Sequence, residues 1–238
     1  MKRVINAQLH RANEDLLDEQ SELILTEGIK KLEAIDHDHV AQVYDTIISM
    51  PSFLRICCDL NIENTISSIL QLAPESPLYG FTNRCRIDPP MDDRRTYGWH
   101  QEVFYTIPNG RYLQTWAPLI YDTTIQNGTI QIAVGSHVEG IAKQSWLEFP
   151  GVATQILIDD EVINKYPQIS VEMNVGELLL FSGFLGHRSG SNNSAQVRYS
   201  LVGMYHDVTH KPFSAPKISF EHREMSPHKY FESIFDKR

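Results

Sequence analysis

The chain has little with which to staple or embed itself. Its three cysteines are Cys57, Cys58 and Cys85. Adjacent cysteines bridge each other poorly and one thiol is left over, so no disulfide framework is expected. Reduced thiols and a cytoplasmic setting are the expectation. No apolar run approaches membrane-spanning length, and Met1-Lys2-Arg3-Val4-Ile5-Asn6 leads into polar residues where a signal peptide would be apolar. Cationic residues are also scarce. Lys and Arg number 21 against 30 Asp and Glu, for a formal net charge of -9 and a pI near 5.5. That balance argues against a partner made of nucleic-acid phosphates or anionic membrane, and any basic site must be local. Internal repeats and low-complexity stretches are lacking as well. Asn127-Gly128-Thr129 and Asn192-Asn193-Ser194 fit the glycosylation pattern but are read as turns.

What is present fits one domain, since 238 residues bury a substantial core. The character of the chain changes near residue 75. Leu16, Leu17, Leu23, Ile24 and Leu32 recur at roughly helical spacing, as do Val40, Val43, Tyr44, Ile47 and Ile48. Ser52 and Asn61 are candidate caps for two further short helices. About four helical segments over 1–74 are expected to cover one face of a sheet. Beyond Pro74 and Pro77 the period shortens, and 78–87, 97–105, 112–120, 129–134, 168–173, 177–182 and 197–206 read as strands. A helix is expected within 159–166. Seven or eight short strands with long connections predict a mainly β fold, an antiparallel double-sheet jelly roll over 78–207. The tail, 208–238, carries Lys211, Lys217, His222, Arg223 and His228 and can fold over the core or order an interface.

The stretch with the most chemistry is Gly98-Trp99-His100-Gln101-Glu102-Val103-Phe104-Tyr105. In a strand, residues two apart share a face, so His100 and Glu102 can grip one metal ion while Gln101 faces away. A lone His-x-Glu pair is more often a surface or hydrogen-bonded pair. A third ligand is at hand in His187, downstream of an apolar strand and bracketed by Gly186 and Gly190, where glycines allow close backbone approach. Two imidazoles and one carboxylate with open positions serve non-haem Fe(II) oxygenases, and zinc hydrolases too. Arg198 separates the two. A guanidinium facing inward beyond the metal is a natural anchor for the distal carboxylate of 2-oxoglutarate. His37-Asp38-His39 looks like a metal pair only superficially, because a helix cap at Asp36 or Asp38 explains it.

At these residues the chain resembles the phytanoyl-CoA dioxygenase (PhyH) family of Fe(II)/2-oxoglutarate-dependent oxygenases. The resemblance spans about residues 80 to 206. It rests on His100-x-Glu102, Trp116 with Asn127-Gly128 behind it, Gly135-Ser136-His137, Gly176-Glu177 leading into 179–182, and then His187, Ser189 and Arg198 in that order. It implies a double-stranded β-helix, cupin-like in its jelly roll, and iron held by His100, Glu102 and His187. It further implies 2-oxoglutarate pinned by Arg198 with Ser189 as hydroxyl donor, O2 as co-reactant, and Trp116 and Tyr105 beside the cosubstrate. Where most of the family carries aspartate this chain has Glu102, still an anionic oxygen ligand, so iron binding is expected and halogenation is not. Arg84 and Arg86 share a strand face, and one of them can reach 2-oxoglutarate or an acidic substrate. Arg94 and Arg95 read as a solvated cluster in the loop before the metal motif, and His206 as a core histidine. The expected reaction is hydroxylation of a small molecule with release of succinate and CO2. The resemblance does not choose the substrate, and the oligomeric state is unreadable. Two rivals remain, a cupin-like metal-dependent sugar isomerase or epimerase and a non-catalytic jelly-roll binding module.

Overall fold

The computed structural model describes residues 1–216 apart from 93, 95, 108, 150 and 151. Arg95 and the tail residues Lys217, His222, Arg223 and His228 therefore lie outside the described residues. The helical cover contains five α-helices, α1 (Lys2–Arg11), α2 (Ile29–Ile35), α3 (His37–Ile48), α4 (Pro51–Cys57) and α5 (Leu60–Ile69), with one π-turn, Ile24–Gly28. Helix α1 was not anticipated. Its apolar residues are few, and it forms because Ile5 and Leu9 are buried in the common core with α2 and α3. Two caps also differ from expectation. Asp59, not Asn61, starts α5 by accepting from the Asn61 amide at 2.9 Å, while α4 starts at Pro51, which places Ser52 inside the helix. Asp36 caps α3 through the Asp38 amide, which accounts for the His37-Asp38-His39 pattern.

The helices pack on a four-stranded antiparallel sheet ordered β1-β9-β2-β7, where β1 is Leu78–Asp88, β2 Tyr112–Pro118, β7 Leu179–Phe181 and β9 Arg198–Asp207. Ile5, Leu9, Ile29, Leu32, Val40 and Val43 meet Cys85, Ile87, Val197, Tyr199 and Leu201 in one core. Odd-numbered residues of β1 and β9 thus face the helices near this end of the sheet, and the even-numbered ones face the other way. A second sheet, β6-β3-β8, joins Gln168–Ser170, Gln131–Ala133 and His187–Arg188. Trp116, Ile130, Met173, Phe181 and Leu185 pack the two sheets together. A hairpin, β4 (Gln144–Phe149) with β5 (Val152–Ile158), fills the stretch between the expected strands and is followed by the short helix α6 (Asp160–Ile163), within the 159–166 expected to be helical.

One expected strand is missing. Residues 97–105 form no strand among the described residues: His100 makes a single bridge to His187, and Glu102–Phe104 is a 3₁₀ turn. The reason is local. The His100 amide donates to the His187 carbonyl at 3.0 Å and the Glu102 amide to the Gly183 carbonyl at 3.0 Å, after which the Tyr105 amide turns back onto the Glu102 carbonyl. No helix of the described residues is long and apolar enough to cross a membrane.

Candidate active site

Between the two sheets lies a cavity of about 510 Å³. His100 and Glu102 enter it from the loop and His187 from β8, brought together by reciprocal backbone bonds between the two histidines, 3.0 and 3.1 Å. Gln101 between them is extended (φ -114°, ψ 140°), so alternation holds across the triplet even without a strand. The Glu102 carboxylate lies 3.7 Å from His100 Nε2 and 3.5 Å from His187 Nε2. All three candidate ligand atoms fall within 4.8 Å of one another.

The tautomers are set from behind. His100 Nδ1 lies 2.8 Å from the Gly98 carbonyl and His187 Nδ1 2.9 Å from the Leu185 carbonyl. A carbonyl only accepts, so each Nδ1 carries the proton and each Nε2 turns a lone pair toward the same point. Burial, together with the neighbouring His187, lowers the pKa of His100 and keeps it neutral. Burial alone would raise that of Glu102, but its contacts with the two histidines outweigh burial and hold the carboxyl well below its usual range. Two Nε2 atoms held toward an ionised carboxylate are what a divalent metal needs, and the donor set fits one.

Gln101, pointing away as expected, is fully buried and fully bonded. Its amide nitrogen donates to the Gly140 and Phe184 carbonyls at 2.7 and 2.6 Å, and its oxygen accepts from the Ala142 amide and Gln144 Nε2 at 3.0 and 2.7 Å. One side chain thus ties the metal loop, the turn before His187 and the start of the hairpin together. The hairpin holds the loop further: Gln155 accepts from the Gly98 amide at 3.1 Å and the Ile158 amide donates to the Trp99 carbonyl at 2.8 Å.

Arg198 is buried and lines the cavity. Its Nη1 donates to the Asn127 and Gly190 carbonyls at 3.4 and 3.3 Å, and its Nη2 reaches Asp88 at 2.9 Å. Gly128 and Gly190 are pressed together here. A Cβ on Gly128 would stand 2.4 Å from the Gly190 carbonyl oxygen and 2.8 Å from Arg198 Nη1, so only glycine leaves room for the guanidinium. Asp88 was missed by the sequence reading. It sits opposite Arg198 in the β1/β9 register and also takes Arg86 Nη2 at 2.8 Å. Burial opposes its ionisation, but Arg198 and Arg86 overcome that and hold its carboxyl far below the ordinary value.

Three polar atoms on cavity-lining residues are buried without a partner: Arg198 Nε, Gln114 Oε1 and Thr82 Oγ1. Orphaned groups of this kind are costly in a closed core and are at home beside a polar ligand. Ser189 lines the same space, its amide bonded to the Tyr97 carbonyl at 3.0 Å, and Trp116 forms a buried wall from β2. The Tyr105 hydroxyl meets that of Tyr97, whose ring lies 4.4 Å from His100, and accepts from the Ile156 amide at 2.9 Å. Arg84 reaches the cavity from β1 at an exposed position. Arg94 does not line it. It pairs with Glu33 and Asp92 at the surface, as a solvated cluster should. His206 is buried, with Nε2 2.7 Å from Thr106 Oγ1 and Nδ1 without a partner.

Comparison with known proteins follows the same line. A 1-deoxypentalenic acid 11-beta-hydroxylase of Streptomyces arenae is 29% identical over 190 residues, 73% of this chain and 61% of that protein. The chain therefore spans less than two thirds of that relative's length. Among solved structures, the epimerase SnoN in complex with Fe3+, alpha ketoglutarate and nogalamycin RO superposes with a TM-score of 0.55 at 16% identity, covering 70% of this chain and 62% of that one. EctD from S. alaskensis, with 2-oxoglutarate and 5-hydroxyectoine, gives 0.53 at 21%, covering 76% and 63%. At such identities the likeness is one of fold. The model of the phytanoyl-CoA dioxygenase (PhyH) family matches residues 13–200, and with most of its length inside that match the chain belongs to this family.

Proposed function

We propose that this protein is an Fe(II)- and 2-oxoglutarate-dependent dioxygenase that hydroxylates an unactivated C–H bond of a small molecule, with release of succinate and CO2. The observation that carries the reading is the convergence of His100 Nε2, His187 Nε2 and a Glu102 oxygen on one point of a walled cavity, with both Nδ1 atoms tied to carbonyls. Bound there with 2-oxoglutarate, iron supplies O2 activation and the oxidising step. The chain supplies placement. His100, Glu102 and His187 occupy one side of the metal and leave the other to ligands. Arg198, its Nε free and its plane fixed by Asp88, Asn127 and Gly190, offers a two-pronged donor to the distal carboxylate of 2-oxoglutarate, with the Ser189 hydroxyl beside it. Trp116 and Tyr105 wall the cosubstrate and exclude water.

The two sheets that flank the cavity are read as the halves of a double-stranded β-helix, and 1–238 as a single dioxygenase domain with a helical cover over 1–74 and a core over 78–207. The C–H hydroxylation draws its support from the Streptomyces relative, a hydroxylase.

Anaerobic titration of apoprotein with Fe(II) and then 2-oxoglutarate tests the reading. A visible charge-transfer band is expected, absent in His187→Ala and much weaker at a given 2-oxoglutarate concentration in Arg198→Ala, which should still bind iron. Iron binding without a band defeats the assignment and favours a metal-dependent isomerase. Failure to bind any divalent metal leaves a binding module.

A further inference from the structure

The mouth of the cavity carries an arginine with no carboxylate partner among the described residues. In β1, Arg84, Arg86 and Asp88 lie two apart and all line the cavity, as do Val202 and Arg198, the β9 partners of Arg84 and Asp88. A bulge brings this about. Register slips between Phe81 and Arg84, and Thr82 sits at φ 50°, so the extra residue re-aims the strand that follows it. Among the described residues, four arginines line the cavity against two carboxylates, Asp88 and Glu102. Arg188 is engaged by neutral groups, its guanidinium 4.7 Å over the Trp99 ring and donating to Gln131.

On the oxygenase reading, the other charged groups of the lining are committed. Glu102 belongs to the metal, and Arg86 and Arg198 both pair with Asp88. Arg84 has no carboxylate partner among the described residues and lies exposed at the mouth of the cavity, beside the half-buried Tyr44 of α3. The rest of the lining includes Ile87, Trp116, Ile130, Phe181, Val202 and Met204, which are apolar.

We infer that the substrate is a carboxylic acid with an apolar body, its carboxylate docked on Arg84 and the Tyr44 hydroxyl at the mouth and its hydrocarbon directed inward toward the metal; this rests on the oxygenase reading above. The arrangement places a fixed charge at one end of the substrate and leaves shape to choose the carbon at the other. Arg84, which the sequence admitted for either 2-oxoglutarate or an acidic substrate, goes to the substrate, because Arg198 already serves the cosubstrate.

The test is binding of decanoate, adamantanecarboxylate and abietate, each beside its methyl ester, to the full chain loaded with Fe(II) and 2-oxoglutarate without oxygen. At least one acid is expected to bind about tenfold or more tighter than its ester, the strength of one charge-assisted contact. Arg84→Ala should erase that difference, Arg84→Lys keep part of it and Tyr44→Phe reduce it, while the 2-oxoglutarate band persists in all three. The proposal is overturned if every acid binds no better than its ester, if Arg84→Ala preserves the preference, or if an acid displaces 2-oxoglutarate. Loss of the band in Arg84→Ala would likewise overturn it by returning Arg84 to the cosubstrate. The same acid and ester pairs are run on metal-free protein. A wild type without any band but with an Arg84-dependent acid preference fails the oxygenase reading and keeps the anion site.

Discussion

At the scale of single residues, the strongest energetic commitment is Asp88. The buried Arg198 and the half-buried Arg86 both pair with it, and removing one partner of a buried ion pair costs about 3–5 kcal/mol because the other, here Arg198, is left uncompensated. Asp88→Ala is therefore expected to lower unfolding stability by about that much in urea titrations. The sign with pH is fixed. The folded carboxyl titrates well below its unfolded value, so the contribution is present above about pH 4 and is lost as pH falls beneath it. His206 acts in the same direction over a different window. Burial pushes its pKa from 6.5 down to about 4, so the unfolded chain takes up a proton that the folded one refuses. Stability is expected to fall as pH drops from 6.5 toward about 4. In His206→Gln that slope should become shallower, leaving the share that His100 contributes, while the loss at lower pH, to which Asp88 and Glu102 contribute, remains; a slope unchanged by the substitution would place its origin elsewhere.

At the scale of elements, the hairpin β4–β5 and the metal loop behave as one framed unit through Gln101. Gln101→Leu keeps the volume but leaves the Gly140 and Phe184 carbonyls and the Ala142 amide without their partner. Loss of a group that positions ligands from behind lowers metal affinity by about 10–100-fold, and that loss is expected in Fe(II) titrations of this variant. The β1 bulge makes a second prediction. Gly203 faces Asn83, and a Cβ there would stand 1.9 Å from the Asn83 oxygen, so Gly203→Ala should destabilise by about 1–3 kcal/mol and tilt Arg84 away from the cavity. These elements also mark what the sequence disclosed. His100, Glu102 and His187 were legible as a candidate set because alternation and bracketing glycines are local signals, whereas Arg198 was picked out by the fit of a guanidinium to a carboxylate and by the family resemblance. The inward parity of Arg84 and Arg86 was legible for the same reason. Asp88 was not, because its partner is fixed only by the register of β1 on β9. The bulge was hidden behind Thr82, a β-branched residue at positive φ where a glycine would have announced it. The hairpin pairs with itself and meets the metal loop through scattered side chains, so no periodicity betrayed it. The seven expected strands fell to six for an equally local reason, the Gly183 carbonyl that captures the Glu102 amide and turns the chain.

At the scale of the whole molecule, helices and sheet share one core and are stitched across it. The Tyr199 hydroxyl donates to the Leu25 carbonyl at 2.5 Å, the Val197 amide to Thr26 Oγ1 at 3.2 Å, and the Tyr205 hydroxyl to the Cys57 carbonyl at 2.7 Å. Both tyrosines and Val197 belong to the β9 region that carries Arg198, so the helical cover supports the strand that anchors the proposed cosubstrate. A ligand bound in the cavity should therefore stabilise helices it never touches. The chain offers a clean readout, because its three tryptophans, Trp99, Trp116 and Trp146, all lie outside the helical cover. Fluorescence then reports the site and sheets, and far-UV circular dichroism is weighted toward the helices. At a hundredfold excess over its dissociation constant a ligand adds about 2.7 kcal/mol, which for a domain of this size is an upward shift in Tm of about 5–10 °C. With a redox-inert divalent metal and 2-oxoglutarate, both signals should move together by that amount and return together on chelation. If the helical signal melts at its original temperature while the fluorescence shifts, the cover is a separate cooperative unit and the contacts from β9 to Leu25, Thr26 and Cys57 do not couple it to the site.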